Sequence, residues 1–316
     1  MRILITGGGG FLGRKLIAAL LAGRGDGPEP STIIALDRVA PAFDDTRVQP
    51  LVGELTDPAC LAEAFAEGID RVWHLAAAVS GECEADLDLG LSANLDGTLE
   101  LLQAARTAET CPRVVFSSSL AIYGGPLPDV VDDDTPVTPD SSYGTQKAIG
   151  ELLVKDLSRK GFIDGRSLRL PTVSIRPGKP NKAASGFASG ILREPLAGQR
   201  SRCPVPPETP MAIVSPRQAV DGLLRAGDLP GEAFGPGRVM NQPGFSVTIA
   251  EMVAGLERAK GQAAVDLIDW EPDPAVMAIV KTWPKGVASA RATAAGLRPD
   301  TDIDGIIAAH LEDEVG

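Results

Sequence analysis

The first half of the chain alternates between two hydrophobic periods. Short apolar runs predict buried strands at "RILIT", "TIIALD", "VQPLVGEL", "RVWHLAA" and "RVVFSSS". Apolar residues at helical spacing predict helices between them, in "GRKLIAALLAG", "PACLAEAFAEG" and "NLDGTLELLQAARTAE". This order predicts an α/β fold, with a doubly wound parallel sheet, right-handed crossovers and helices on both faces.

The pattern changes after a long predicted helix from about Ser142 to Arg159 and a predicted strand at "SLRLPTVSI". "RPGKPNKAASGF" and "CPVPPETP" are rich in Pro and Gly and predict loops, and further helices are predicted beyond them. We therefore predict a first domain over residues 1–168. A smaller, substrate-binding portion over residues 169–316 is expected to pack on it, with some segments returning to its sheet.

Four consecutive glycines separate the first predicted strand from the first predicted helix. In the spacing Gly7-x-x-Gly10-x-x-Gly13, Gly7 would permit a tight turn and Gly10 a close approach of backbone amides to a pyrophosphate. Gly13 would let the helix pack close to the sheet, and Phe11 and Leu12 begin that helix with its N-terminus toward the phosphates. A strand, a glycine turn and a helix in this order predict a dinucleotide site in a Rossmann domain.

The ends of the next two strands refine the choice of cofactor. Asp37 ends the second strand, where a carboxylate can accept both ribose hydroxyls of adenosine and would repel a 2′-phosphate. This favours NAD over NADP, although the adjacent Arg38 could hold a phosphate. Glu54 and Leu55 follow the third strand, where they would flank the adenine or simply end the strand.

Tyr143 and Lys147 are the strongest candidates for chemistry. They are four residues apart on a predicted helix, so both side chains project from one face. Upstream, "RVVFSSS" ends a predicted buried strand in three serines, Ser117 to Ser119, at the carboxyl edge of the sheet. The alternative is an aromatic residue on the helix surface beside a solvated cation.

The sequence resembles the extended short-chain dehydrogenase/reductase family, which includes nucleotide-sugar epimerases and dehydratases. The resemblance lies in "TGGGGFLG", "LD", "HLAA", "NLDGT", "FSSS", "YGTQK" and "RPG", over about the first 180 residues. It implies that Ser119 hydrogen-bonds the reacting hydroxyl and that Tyr143 is the general base. It implies that Lys147 bonds the nicotinamide ribose and holds Tyr143 as phenolate.

The resemblance also adds expected residues to the cofactor site: Leu75, Ala76, Ala77, Asn94 and Ser117. Asn94 either supplies polar support among the central helices or caps a helix. An ammonium about 5 Å from the phenol, at an effective dielectric of about 20, favours phenolate by roughly 3 kcal/mol, or about two pH units. We therefore predict that Lys147 brings the pKa of Tyr143 close to neutrality, where a general base works best.

A basic stretch between residues 166 and 202 bears on the substrate. It holds one acid, Glu194, and the residues of what we name the basic collar: Arg166, Arg169, Arg176, Lys179, Lys182, Arg193, Arg200 and Arg202. The collar is either a solvated basic face or a site that attracts an anionic ligand. The segment "RLPTVSIRPGKPNKAASGFASGILREPLAGQ" with "SPRQAV" resembles members of the family that oxidise C2 of a four-carbon sugar acid with NAD.

That resemblance implies NAD-dependent oxidation of D-erythronate or a similar aldonate to the 2-keto acid. We predict that Arg217 reaches the substrate carboxylate and that Lys179, Asn181 and Lys182 lie nearby, with surface solvation as the alternative for each. A nucleotide-sugar epimerase or dehydratase that keeps NAD tightly bound remains an open alternative. A non-enzymatic dinucleotide sensor is disfavoured, because such proteins typically lose the Tyr/Lys pair.

The amino-acid composition limits the kinds of partner that the protein is expected to bind. The net charge of −12 argues against nucleic acid or an anionic membrane as partner, and no apolar run approaches the roughly 20 residues of a membrane span. Without a signal peptide before the first strand, a cytoplasmic location is expected. Four scattered cysteines predict reduced thiols, and "VVDDDTP" predicts a solvated loop and no metal site. His74 is interpreted as a packed histidine, and family analogy predicts a homodimer.

Overall fold

The computed structural model describes residues 1–108, 110–178 and 183–314. The strands are β1 (Arg2–Thr6), β2 (Thr32–Asp37), β3 (Val48–Val52), β4 (Arg71–His74), β5 (Arg113–Ser119), β6 (Asp164–Leu170), β7 (Thr172–Val173), β8 (Ser201–Cys203), β9 (Pro210–Val214), β10 (Val239–Asn241), β11 (Phe245–Thr248) and β12 (Ile268–Trp270). The helices are α1 (Phe11–Leu21), α2 (Pro58–Phe65), α3 (Ser80–Ala85), α4 (Leu87–Gly90), α5 (Gly97–Thr107), α6 (Ser142–Arg159), α7 (Gly186–Leu196), α8 (Pro216–Asp228), α9 (Ile249–Lys260), α10 (Gln262–Val265), α11 (Pro274–Val280), α12 (Ala290–Ala294) and α13 (Ile303–Glu314). A π-helical turn (Leu91–Asp96) precedes α5, and 3-10 turns occupy Leu120–Ile122 and Gly231–Phe234.

A parallel sheet of seven strands forms the centre of the fold, in the order β10-β6-β5-β4-β1-β2-β3. The chain moves outward from β1 through β2 and β3, and then returns to the other side of β1 with β4. In such sheets this reversal opens a crevice at the carboxyl ends of the strands, where ligands bind. The predicted doubly wound α/β fold is confirmed.

Helices cover both faces of the sheet, because its strands are apolar on both sides. On one face α1 and α8 pack through a buried cluster that includes Leu16, Leu20 and Leu223. On the other face α2, α5 and α6 pack through a cluster that includes Leu61 and Leu101. Burial of both faces is the arrangement that near-continuous apolar strands require.

The helix α6 begins and ends where the sequence predicts. The Ser141 hydroxyl accepts a hydrogen bond from the Gly144 amide and caps its first turn. At its other end Gly161 adopts a positive φ of 76°, which ends the helical path. This long helix lies against β5 and β6 and presents its first two turns to the carboxyl edge of the sheet.

The chain after β6 contributes to two places. The strand β10 returns to the edge of the central sheet beside β6, and α8 packs on one of its faces. The remainder builds a second core around α7, α9 and α13, with a small sheet in the order β11-β9-β7. The domain boundary at residue 168 stays a prediction.

Candidate active site

The glycine turn between β1 and α1 depends on the absence of side chains at two positions. Gly7 has a φ of 72°, and a Cβ there would lie 2.8 Å from the amide nitrogen of Ala76. A Cβ on Gly13 would collide with the carbonyl oxygen of Gly7. The turn therefore lies close to the Ala76 backbone and to the first turn of α1, which is the cradle that a pyrophosphate needs.

Asp37 is held at the end of β2 by the same turn. Its Oδ2 accepts a hydrogen bond from the Gly9 amide at 3.0 Å. The carboxylate is half-buried and lines a cavity of about 1050 Å³ that runs along the carboxyl edge of the sheet. We call the part of the cavity at the glycine turn and Asp37 the glycine end.

The cavity brings together nearly all of the residues expected at the cofactor. It is lined by Gly7, Gly10, Phe11, Leu12, Gly13, Asp37, Arg38, Glu54, Leu55, Leu75, Ala76, Ala77, Ser117, Tyr143 and Lys147. These residues come from five strand ends and two helix starts. Their convergence fits an extended dinucleotide that begins at the glycine turn and reaches the Tyr143 helix.

Asn94 is the exception, and its expected contact with the cofactor stays a prediction. It is buried in the π-helical turn and is not among the described residues that line the cavity. Its Oδ1 accepts from the Ala78 amide at 2.8 Å, and its Nδ2 donates to the Gln146 Oε1 at 2.8 Å. Asn94 therefore supports the cavity wall from behind. Of the two alternatives that the sequence left open, polar support and a helix cap, this is the first.

Ser119 and Tyr143 meet because α6 approaches the 3-10 turn that directly follows β5 very closely. A Cβ on Gly144 would collide with the carbonyl oxygen of Ala121, so the residue after Tyr143 has to be glycine for this contact. Ser119 lies at the end of β5, and its Oγ accepts from the Ala121 amide at 3.1 Å. Hydrogen bonding from Ser119 lowers the pKa of Tyr143, though less than burial raises it.

Lys147 is buried one turn further along α6. Its Nζ donates to the Ser117 carbonyl oxygen at 2.8 Å and lies 5.7 Å from the centroid of the Tyr143 ring. Burial lowers the pKa of Lys147 to about 8, against a smaller raising effect from the Glu151 carboxylate. The ammonium is therefore held by a backbone carbonyl at the cavity wall.

The predicted pKa of Tyr143 is wrong for the protein alone. Burial raises the pKa of the phenol to about 12, and the positive charge of Arg176 opposes this only in part. The cause is desolvation: taking a phenolate out of water costs more than these neighbours return. The tyrosine therefore needs further positive charge before it can act as a base near neutrality.

His74 is a structural residue, as the sequence suggests. Its Nδ1 lies 2.7 Å from Thr6 Oγ1, and its Nε2 lies 2.9 Å from Thr98 Oγ1. Because the Thr98 hydroxyl donates to the Asn94 carbonyl, Nε2 carries the proton and Nδ1 accepts from Thr6. Burial lowers the pKa of His74 to about 3, so it stays neutral behind the cavity wall.

Arg217 is not where the sequence prediction needs it. It lies on the first turn of α8, and its Nη2 pairs with Asp313 at 2.6 Å and with Glu312 at 2.9 Å. It is not among the described residues that line the cavity. The expected carboxylate contact is therefore wrong, because α13 folds back and supplies two carboxylates at the surface. The other expected residues, Lys179, Asn181 and Lys182, lie outside the described residues.

Arg176 lines the cavity instead, at the end away from the glycine turn. We call this part the arginine end; Ser185, Met211, Ile279 and Trp283 also line the cavity. The sequence included Arg176 in the basic collar but did not single it out. Its neighbours in the collar are neutralised by carboxylates, and that difference is visible only in the fold.

The described part of the chain offers no cluster of three or more metal-ligating side chains, and its cysteines are free thiols. Its helices include none long and apolar enough to cross a membrane. The cavity itself offers the phenol of Tyr143, the hydroxyl of Ser119, the ammonium of Lys147 and the guanidinium of Arg176 beside the dinucleotide cradle.

Residues 3–210 match the NAD dependent epimerase/dehydratase family. The chain belongs to this family of extended short-chain dehydrogenases/reductases, and it is an enzyme with NAD as its cofactor. The resemblance noted in the motifs is confirmed.

Individual relatives extend the similarity over the whole chain. It is 53% identical to the D-erythronate dehydrogenase of Cupriavidus necator, over 99% of this chain and 98% of that protein. It is 42% identical to the D-erythronate dehydrogenase of Haemophilus influenzae, over 99% of both. The solved structure of the nucleoside-diphosphate-sugar epimerase from Agrobacterium tumefaciens superimposes with a TM-score of 0.94 at 42% identity, covering 100% of this chain and 95% of that one.

Proposed function

We propose that this enzyme oxidises the C2 hydroxyl of D-erythronate, or of a closely similar four-carbon aldonate, to the 2-keto acid with NAD. The observation that carries the proposal is the meeting of Ser119 and Tyr143 in the same cavity as the dinucleotide cradle. The substrate class is supported by the two D-erythronate dehydrogenases that align over nearly the full chain.

Different residues of the chain bind different parts of the cofactor in this proposal. Gly7, Gly10 and Gly13 hold the pyrophosphate on backbone amides at the start of α1, and Asp37 accepts the adenosine ribose hydroxyls. Lys147, which already donates to the Ser117 carbonyl, has further ammonium protons for the nicotinamide ribose. NAD, when bound, accepts the hydride from C2 and brings a positive charge next to the phenol.

Tyr143 takes the proton of the C2 hydroxyl, and Ser119 holds the same oxygen by a hydrogen bond. The Ser119 oxygen accepts from the Ala121 amide, and its single proton, which bonds Tyr143 in the protein alone, would turn to the substrate oxygen. The pKa of Tyr143 in the protein alone is about 12. Tyr143 can therefore act as a base near neutral pH only when additional positive charge lies close to its phenol. The charge of Arg176 is already included in that pKa, so the further positive charge is the one that NAD would bring.

The test is the production of NADH from NAD and D-erythronate by the purified protein, followed by identification of the product as the 2-keto acid. Tyr143→Phe is the matched control, because it removes one oxygen and keeps the ring. No NADH from any four-carbon aldonate would contradict the proposal.

A nucleotide-sugar epimerase is the second candidate, because the Agrobacterium tumefaciens structure of that description aligns over the whole chain at 42% identity. An epimerase returns its hydride to the substrate and releases no net NADH. Interconversion of a UDP-sugar without net release of NADH, together with no activity on free aldonates, would favour this candidate.

The quaternary structure is also a proposal. We propose a cytoplasmic homodimer that buries the outer faces of α5 and α6, where Leu152 is 63% exposed. Light scattering on the purified protein tests this: a monomeric mass would contradict the dimer. A Leu152→Glu variant that becomes monomeric would support the proposed surface.

A further inference from the structure

The arginines of the basic collar differ in their partners. Arg166, Arg169, Arg193, Arg200 and Arg202 each form an ion pair with an aspartate or a glutamate. Among the collar residues that the structure describes, Arg176 is the one with no carboxylate within ion-pair distance. It is also the one whose side chain lines the cavity.

Two residues of α7 and Ser185, which directly precedes this helix, hold Arg176 in place. Ser189 Oγ accepts the Arg176 amide at 3.0 Å, and Arg193 Nη1 donates to the Arg176 carbonyl at 2.6 Å. Ser185 Oγ accepts from Arg176 Nη2 at 3.3 Å. These three residues are four apart along the helix, so they form one face that fixes both the backbone and the side chain of Arg176.

A half-buried guanidinium without an anion is costly. Burial and the nearby charge of Arg193 both lower the pKa of Arg176. Arginine keeps its charge in proteins under such conditions, so the charge remains in need of a partner. The described residues around it supply hydroxyls and the phenol of Tyr143, and its planar fork leaves donors free for a carboxylate.

We propose that Arg176 binds the substrate carboxylate and thereby selects which hydroxyl reacts; this rests on the proposed function. Arg176 lies close enough to Tyr143 for its charge to act on the phenol. A carboxylate anchored there brings the adjacent carbon, C2, toward Tyr143 and Ser119, which line the same cavity. Arg176 is therefore a specificity-determining residue, and the substrate is a 2-hydroxy acid.

The experiment compares Arg176→Gln with the wild type on D-erythronate and on its neutral amide. Loss of a desolvated charge pair lowers kcat/KM for D-erythronate by about a hundredfold or more, whereas kcat/KM for the amide changes by less than about threefold. The Kd for NAD stays unchanged. Arg217→Gln is the matched control, since it removes an equal charge outside the cavity and leaves both rates as they are.

Equal losses on the acid and the amide, or no loss on either, would overturn the inference. If Arg176→Gln does not fold, Arg176→Lys keeps the charge without the fork, and a loss of about tenfold on the acid alone supports the same conclusion. If Arg176→Lys lowers kcat/KM equally for the acid and for the amide, the inference is overturned.

A separate measurement keeps this inference apart from the proposed reaction. Butyrate and butyramide have four carbons and no hydroxyl, and their binding to the NAD-loaded protein is followed by ligand-observed NMR. Arg176-dependent binding of butyrate but not of butyramide supports the carboxylate subsite even if no aldonate yields NADH, which would then overturn the proposed function alone. Binding of butyrate that survives Arg176→Gln overturns the subsite.

Discussion

The glycine end of the cavity is shaped by backbone, whereas the arginine end is shaped by charged side chains and their partners. At the glycine end, Gly7 and Gly13 matter for the side chains they lack. At the arginine end, Arg176 lines the cavity, whereas the chemically identical Arg217 lies outside it and forms ion pairs with two carboxylates. Only the neighbours of the two arginines make this difference. A site built on backbone can be read from residue types, and a site built on charge pairing cannot.

The largest expected effect is at the junction of the two ends. Tyr143→Phe should lower kcat by about 10²–10⁴-fold, because general-base catalysis contributes on that scale. Both ends should keep their ligands, with the Kd for NAD and for D-erythronate changed by less than about threefold. Stopped-flow rates and calorimetry check this. A large loss of NAD affinity would mean that the phenol also shapes the glycine end.

At the glycine end, Gly13→Ala should weaken NAD binding by tenfold or more and lower the free energy of unfolding by about 1–3 kcal/mol. The added methyl group collides with the Gly7 carbonyl, which is backbone and cannot move aside cheaply. Gly305→Ala on α13 is the control, since its Cβ would meet only the Asp302 side chain at 3.3 Å. Unchanged NAD affinity in Gly13→Ala would contradict a backbone-shaped site.

Acid should loosen the wall behind the glycine end through His74. The pKa of His74 is about 3 in the folded protein and about 6.5 for a solvent-exposed histidine, so the unfolded chain binds a proton that the folded one excludes. Stability from this residue is present above pH 6.5 and is lost as the pH falls, by about 2 kcal/mol between pH 6.5 and 5.

Urea unfolding of the wild type and of His74→Gln over this pH range measures the effect. The wild-type slope should be steeper by one proton, or about 1.4 kcal/mol per pH unit. His310, whose pKa burial also lowers, is present in both proteins and cancels. Parallel slopes would show that His74 is protonated in the folded state.

The smallest effect is expected at Arg217. Its ion pairs with Asp313 and Glu312 are at the surface, so Arg217→Gln should lower the free energy of unfolding by less than about 1 kcal/mol, and less still in high salt. Thermal unfolding and steady-state kinetics check this together. A rise of tenfold or more in the KM for D-erythronate would show that Arg217 contacts the substrate, as the sequence suggested. It would contradict the conclusion that Arg176, and not Arg217, serves the cavity.

The sequence predicted most of the fold and one end of the site. The strands, the α6 bounds and the glycine turn follow from periodicity and from residues that are neighbours in the chain. The Tyr143 and Lys147 pair followed from helical spacing alone. The role of Asn94 was narrowed to two alternatives, and its partners Ala78 and Gln146, distant in sequence, decided between them.

By itself, then, the sequence determined the parallel sheet, the dinucleotide turn and the face of the helix that carries the phenol, because each depends on residues within a few positions of one another. Only the tertiary structure decided which arginine faces the cavity and how strongly burial opposes the ionisation of Tyr143. Those outcomes depend on desolvation and on charges brought together from distant parts of the chain. Neither the desolvation of a side chain nor its distant charged neighbours can be deduced from the spacing of residues along the chain.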